Sequence, residues 1–251
     1  MVMAVRLIIS GCCGRMGRAI ASLALQDSVY AIGAALEAAG HPSLGQEYGA
    51  VLGQPTPLGV RVSDDAKASL RQGDVLIDFT SPEATAAHAA LARELKKPMV
   101  IGTTGLAEAQ LAAIRAAAEA IPIVLSPNMS IGVNVLYELA RTAVQRLGPG
   151  YDVAIVEVHH RHKQDAPSGT AKRLAEVLAT AQGGTAVPVQ AVRAGDIVGD
   201  HTVVLAGPAE RLELTHRAHS REVFAQGALR AARFVAGRRP GLYDMADVLK
   251  G

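Results

Sequence analysis

An apolar run that ends in a glycine turn and opens a helix constrains this chain more than any other stretch. Val2 to Ile9 is apolar except at Arg6, as expected of a parallel strand buried on both faces. Gly11-Cys12-Cys13-Gly14-Arg15-Met16-Gly17 follows, and Arg15 to Leu25 reads as a helix. Glycines at such a junction permit a tight turn and close approach of backbone to a pyrophosphate. The helix start adds unpaired N–H groups and the positive end of a dipole. The spacing is GxxGxxG and not the usual GxGxxG, so the motif draws its weight from context. That context is Glu37, at the end of a second strand (Val29 to Leu36) and about 20 residues beyond Gly17, where an acid can accept hydrogen bonds from an adenosine ribose. The competing reading is a structural glycine turn with an incidental surface glutamate.

The first half continues in the same alternation. Asp74 to Phe79, Met99 to Ile101 and Ile121 to Leu125 read as strands, and Glu83 to Leu95 and Ala107 to Ala120 as helices. This succession implies an α/β fold with a Rossmann-type, doubly wound parallel sheet. Glu37 to Val62 is rich in Gly and Pro and reads either as a loop near the ligand or as a tolerated surface insertion. After Asn128 the pattern changes. Gly132 to Leu147 is one long helix, Tyr151 to Val158 a strand apolar on both faces, and Thr170 to Ala181 a helix. Gln190 to Arg193, His201 to Ala206 and Leu212 to His216 are strands, with Gly207-Pro208 starting a hairpin loop. Val223 to Val235 is again helical, and Gly241 to Leu249 is a tail element expected to pack back on the first lobe. The expected organisation is a dinucleotide-binding domain, 1–128 plus 217–251, and an α+β substrate-binding and oligomerisation domain, 129–216.

Composition narrows the class. Hydrophobic residues make up 49% of the chain and aromatics 3%, with no Trp, so the core is built from Ala, Val, Leu and Ile. A net charge of +2 is too balanced for nucleic acid or membrane to be the main partner. The two cysteines are adjacent, which excludes a disulfide framework within the chain and points to a reducing, cytoplasmic setting. The N-terminus lacks the basic start and cleavage site of a signal peptide, and no apolar run reaches the ~20 residues of a membrane span. Within the glycine turn, Cys12 and Cys13 read as small residues filling a crowded loop in preference to reactive thiols.

A second motif runs from Glu157-Val158-His159-His160-Arg161-His162-Lys163 to Asp165-Ala166-Pro167-Ser168-Gly169-Thr170-Ala171. A buried strand ends at a basic run, then a turn, then a helix start. Ser168 is a plausible N-cap, and Gly169 and Thr170 present N–H groups; with Lys163 nearby this makes an anion site suited to a carboxylate. The histidines supply a proton donor near neutral pH. A metal reading is set aside, because carboxylates at alternate spacing and a second ligand cluster are lacking, so no metal is expected.

These two motifs, with Ile77-Asp78-Phe79-Thr80, Gly102-Thr103-Thr104-Gly105, Asn128-Met129-Ser130, Gly132-Val133-Asn134, Arg193-Ala194-Gly195-Asp196-Ile197-Val198-Gly199 and Gly241-Leu242-Tyr243-Asp244-Met245, resemble the 4-hydroxy-tetrahydrodipicolinate reductase family over essentially the whole chain. The resemblance implies NAD(P)H-dependent reduction of a small cyclic dicarboxylate in lysine and diaminopimelate synthesis. It implies a cofactor, NADH and/or NADPH, lying over Gly11 to Met16, with Glu37 at the ribose and with Gly102, Thr103, Thr104, Ser126, Pro127, Asn128 and Met129 lining the nicotinamide end. It implies His159 as general acid/base, Lys163 as proton donor and substrate contact, and His160 with the Gly169-Thr170 backbone as holders of the substrate carboxylates. A homotetramer formed through the second-lobe sheets is likewise implied. Members that use the phosphorylated cofactor often carry Arg directly after the ribose acid, where this chain has Ala38, while Arg15 remains available to a 2′-phosphate. Two other readings fit the first lobe: another two-domain NAD(P)-dependent dehydrogenase acting on an amino-acid-like substrate, and a non-enzymatic nicotinamide sensor.

Overall fold

The computed structural model describes residues 4–251; Val2, where the first strand was expected to begin, lies outside the described residues. The first half forms β1 (Val5–Ser10), α1 (Arg15–Ala24), β2 (Tyr30–Leu36), α2 (Tyr48–Val51), β3 (Val62–Ser63), α3 (Ala66–Arg71), β4 (Val75–Asp78), α4 (Pro82–Leu95), β5 (Met99–Ile101), α5 (Glu108–Ala118) and β6 (Pro122–Leu125). Then come α6 (Ile131–Leu147), β7 (Asp152–His159), α7 (Gly169–Ala181), β8 (Val189–Arg193), β9 (Gly199–Ala206) and β10 (Arg211–Ala218). The chain ends in α8 (Glu222–Val235), β11 (Gly241–Tyr243) and α9 (Met245–Lys250).

Two compact units result, one of residues up to Met129 with Phe224–Gly251, the other Ser130–Val223. In the first, seven strands pair in parallel in the order β11-β6-β5-β4-β1-β2-β3. Continuous apolar strands are what a sheet covered on both faces requires, and Leu7, Ile8, Ile9, Leu76, Ile77 and Ile101 are fully buried. Helix boundaries follow local chemistry. Ser81 caps α4 by accepting from the Ala84 N–H, Pro82 occupies its first turn, and Lys96 closes it in the left-handed conformation. The tail packs back as expected, with β11 pairing alongside β6.

The Gly/Pro-rich stretch is not a surface insertion. Tyr48 is fully buried and its hydroxyl donates to the Cys12 carbonyl at 2.9 Å. The Glu47 carboxylate accepts the N–H groups of Ala50, Leu58 and Gly59. Arg18 reaches across to the Val51 carbonyl at 2.7 Å. The stretch is thus folded on polar anchors around one tyrosine and braces the glycine turn.

In the second unit a four-stranded mixed sheet, ordered β10-β9-β7-β8, packs with α6 and α7 around Leu136, Ala140, Leu174, Leu178, Ile155 and Val203. Strand β7 carries apolar residues on both faces, as expected, but its burial alternates. Val153, Ile155, Glu157 and His159 are buried, while Ala154, Val156 and Val158 are half-buried. The buried row changes from apolar to ionisable at its C-terminal end, and there the site begins. Strand β10 runs to Ala218, so this unit extends past His216.

Candidate active site

The glycine turn of the first unit is shaped by contact. Gly11 sits at φ +73°, and a Cβ on Gly17 would stand 2.2 Å from the Gly11 carbonyl oxygen. Helix α1 starts at Gly14 without a side-chain cap, which leaves its first N–H groups for an anion. Glu37 is held against this turn, its two carboxylate oxygens accepting from the Cys13 N–H at 2.8 Å and the Ala38 N–H at 2.9 Å. Beside it opens a cavity of about 430 Å³ lined by Gly11, Gly14, Glu37, Ala38, Asp64 and Thr80 among others, with no Lys or Arg among its described lining residues. Cys12 is buried, Cys13 and Met16 are half-buried, and Arg15 is exposed. A turn with no room for a side chain at Gly11 or Gly17, an uncapped helix start and a fixed carboxylate together fit a dinucleotide's pyrophosphate and ribose.

At the neighbouring strand ends a buried carboxylate organises the remaining expected cofactor residues. Asp78 is fully buried; one of its oxygens takes the hydroxyls of Thr80, Thr85 and Thr103 at 2.6, 2.9 and 3.2 Å, and the other lies 2.6 Å from His88 Nδ1. The Thr103 hydroxyl also accepts from the Thr80 N–H at 3.0 Å, so this side chain is bound into the scaffold. Gly102 is half-buried and Thr104 exposed. The Ser126 hydroxyl donates to the Asn128 carbonyl at 2.8 Å, bending the chain through exposed Pro127 towards buried Met129. Sequence reasoning missed Asp78, Thr85 and His88 as a group. The available signal was an acid ending an otherwise apolar strand.

In the second unit the expected catalytic residues surround Glu157, which is fully buried. Its oxygens take both terminal nitrogens of Arg193 at 2.9 Å, the Ser168 N–H at 3.1 Å and Nδ1 of His159. Burial alone would raise the Glu157 carboxyl, but Arg193, His159 and the Ser168 N–H hold it below the usual range. His159 is pushed down by burial, against the opposing pull of Glu157, and so rests neutral near pH 7. With Nδ1 turned to a carboxylate its tautomer is fixed, and Nε2 lies against Gly199, where a Cβ would stand 2.9 Å away. Ser168 caps α7 by accepting from the Ala171 N–H at 3.1 Å, and its hydroxyl lies 3.2 Å from Nε2 of His201. His201 meets the His159 ring edge-on, the centroids 5.1 Å apart.

Lys163 lies beyond this buried group and pairs with Asp165 at 2.7 Å. That partnership, helped by the Gly169 N–H, holds the Asp165 carboxyl low. A carboxylate therefore already rests at the lysine and the start of α7, where Gly169 and Thr170 take the first two helical positions. The His160 ring lies 6.4 Å from that of His162, tilted against it. Arg193 and His201 were missed as members of the site. Adjacent strands bring them to Glu157 and His159 from more than 30 residues away along the chain.

Comparison with known proteins agrees along the whole chain. The model described as "Dihydrodipicolinate reductase, N-terminus" matches residues 5–129, and "Dihydrodipicolinate reductase, C-terminus" matches residues 132–249. A 4-hydroxy-tetrahydrodipicolinate reductase of Anaeromyxobacter sp. (strain Fw109-5) is 50% identical, covering 98% of this chain and 97% of the relative. One from Thiobacillus denitrificans is 49% identical, covering 98% and 99%. Among solved structures, a dipicolinate-bound dihydrodipicolinate reductase from Paenisporosarcina sp. TG-14 superposes with a TM-score of 0.80 at 23% identity, over 96% of this chain and 98% of that one, a likeness of fold.

Proposed function

The chain belongs to the dihydrodipicolinate reductase family, and on that premise we propose a division of labour for its reaction. The reaction is the nicotinamide-dependent reduction of 4-hydroxy-tetrahydrodipicolinate to tetrahydrodipicolinate with loss of water, in lysine and diaminopimelate synthesis. Its relatives set aside the two other readings, a different two-domain dehydrogenase and a nicotinamide sensor. The first unit holds the cofactor at Gly11 to Met16 and Glu37, with Gly102 to Thr104 and Ser126 to Met129 at the nicotinamide end. When bound, the cofactor supplies a hydride. The second unit binds the dicarboxylate. Lys163, Gly169 and Thr170 receive one carboxylate where that of Asp165 now rests, Ser168 fixes that helix start, and His160 meets the other. Hydride addition leaves negative charge on the ring's conjugated nitrogen system. Lys163 delivers the proton that neutralises it, and His159, kept oriented by Glu157, acts as general acid/base. The observation that carries this reading is the Glu157–His159–Ser168 cluster beside a lysine that already holds a carboxylate.

The cofactor pocket, lined by Glu37 and Asp64 and by no Lys or Arg among its described residues, supports NADH as at least as good a cofactor as NADPH, and exposed Arg15 at the same loop supports use of both. The half-buried apolar row Ala154, Val156 and Val158, with Val204 beside it, supports association through the second-unit sheet into a homotetramer. Two free cysteines, and no described helix long and apolar enough to cross a membrane, agree with placement in the cytoplasm.

A coupled assay with the product of the upstream synthase, following nicotinamide absorbance, tests the reading. Turnover is expected with both cofactors. His159→Gln and Lys163→Ala each lower kcat by about 10²-fold or more. NADH affinity stays nearly unchanged, because both residues belong to the second unit. Near-normal turnover in both variants refutes the assignment.

A further inference from the structure

The glycine turn carries two groups for which the reduction has no use. Cys12 and Cys13 are both free thiols, and their Sγ atoms lie 3.7 Å apart. Two sulfurs on a tetrahedral ion with metal–sulfur bonds of about 2.3 Å stand roughly 3.8 Å apart. A carboxylate oxygen of Glu37 completes a triad whose ligand atoms all lie within 4.8 Å of one another. The N–H groups of Cys13 and Ala38 hold Glu37 in that place, so the third ligand does not have to be recruited from solvent. A disulfide suits the pair poorly. Consecutive Cα atoms stand about 3.8 Å apart, short of the roughly 4.4–6.8 Å that disulfides span. Chelation needs no such distortion.

We propose that Cys12, Cys13 and Glu37 form a binding site for a thiophilic divalent cation of the zinc and cadmium class, with water as the fourth ligand. Two thiolates and one carboxylate are a donor set that selects such ions over magnesium or calcium. Cys13 and Glu37 are half-buried and Cys12 is buried, which leaves the solvent ligand on the Cys13–Glu37 side. As the two metal–sulfur bonds form, two thiol protons leave to solvent. A bound cation engages the carboxylate and the loop that the dinucleotide requires. Resting on the cofactor reading above, the inference therefore includes mutual exclusion of cation and dinucleotide.

Cadmium alone is titrated into the whole, nucleotide-free protein, following sulfur-to-metal charge-transfer absorbance. NADH binding to metal-free protein is measured separately by its fluorescence. The expected result is one cadmium per chain, weakened about 10–100-fold or more in Cys13→Ser and in Cys12→Ala, with each variant's fold checked by circular dichroism. Cys13→Ser carries the test if the buried Cys12→Ala does not fold. No thiolate absorbance, or equal cadmium affinity in folded cysteine variants, overturns the site. NADH affinity that falls in step with cadmium occupancy supports exclusion, and unchanged affinity at saturating cadmium overturns it. Failure of NADH to bind the metal-free protein overturns the cofactor reading instead, since the cadmium titration contains no nucleotide.

Discussion

Each unit buries one carboxylate completely and sets a histidine against it, Asp78 with His88 in the first and Glu157 with His159 in the second. The two are satisfied differently. Asp78 is surrounded by three threonine hydroxyls, while Glu157 takes a bidentate arginine and a backbone N–H. The neutral shell suits a scaffold whose task is to fix strand ends, because hydroxyls can turn towards one another when a partner is lost. The charged shell suits a site that must hold an imidazole in one orientation, and it ties Arg193 to Glu157 as well as to the carbonyls of Lys163, Val192 and Asp165. Glu157 is the buried charge of the pair and Arg193 is half-buried, so the cost of breaking the shell lies in the several charge-assisted hydrogen bonds that meet at one carboxylate.

That contrast breaks most visibly at the carboxylates themselves. Glu157→Ala is expected to destabilise the second unit by about 3 kcal/mol or more, because several hydrogen bonds to one buried charge, each worth about 1.5–3 kcal/mol, are lost together. Asp78→Ala is expected to cost the first unit about 1–3 kcal/mol, because Thr85 and Thr103, 2.8 Å apart, retain each other. Hydrogen exchange read unit by unit measures both. Equal losses, or a larger loss at Asp78, would mean that the shells are equivalent.

Acid sharpens the same comparison. Burial, with help from the nearby His159, pushes His201 down to about 4 from an ordinary 6.5, and its Nδ1 has no hydrogen-bond partner. Between those values the unfolded chain holds the proton and the folded chain does not, so stability rises with pH across the window. The contribution is fully present above pH 6.5, is lost as pH falls towards 4, and amounts to about 3 kcal/mol. Glu157, held below its ordinary 4.5, acts with the same sign at lower pH. The second unit is therefore expected to lose exchange protection as pH falls from 7 towards 4, and His201→Gln should flatten that slope. An unchanged slope in the variant would remove His201 from the account.

The reach of the sequence differs between the units in a similar way. The parallel sheet was legible because strands buried on both faces are continuous apolar runs, and boundaries shifted mainly where caps such as Ser130 and Ser81 decide them. Helices α2 and α3 and strand β3 were not legible. Helix α2 and strand β3 depend on Tyr48 reaching the Cys12 carbonyl and on Glu47 gathering distant N–H groups, and α3 is a six-residue helix capped by Asp65, none of which leaves a periodic trace. In the second unit His159, Lys163 and Ser168 share one short segment and could be grouped by eye. Arg193 and His201 join them only through strand register, which a single sequence does not display. The alternation of β7 was hidden too, because its half-buried row is apolar as well.

The smallest expected effect concerns cofactor choice, which turns on the charges around Glu37 in the first unit. Glu37 is fixed by two N–H groups, so it cannot swing away from a 2′-phosphate, and Asp64 adds a second carboxylate to the same cavity. Ala38 adds no cation, and Arg15 lies exposed at the start of α1, where its fork remains available to an oxyanion. A charge-assisted phosphate contact is worth about 1.5–3 kcal/mol at best, which is comparable to repulsion from a half-exposed carboxylate. The two terms nearly cancel, hence the expectation of dual use. Ala38→Arg brings a guanidinium beside the ribose and should raise the NADPH-to-NADH ratio of kcat/KM by about tenfold, or roughly 1.4 kcal/mol. The shift should be larger at low salt, where surface charges are screened less. Loss of NADPH use in Arg15→Ala would identify the cation that serves the unmodified enzyme. If that enzyme already prefers NADPH by a large factor, the balance struck here between Glu37, Asp64 and Arg15 is wrong, and a cation from the stretch after Ala38, such as Arg61, must reach the phosphate.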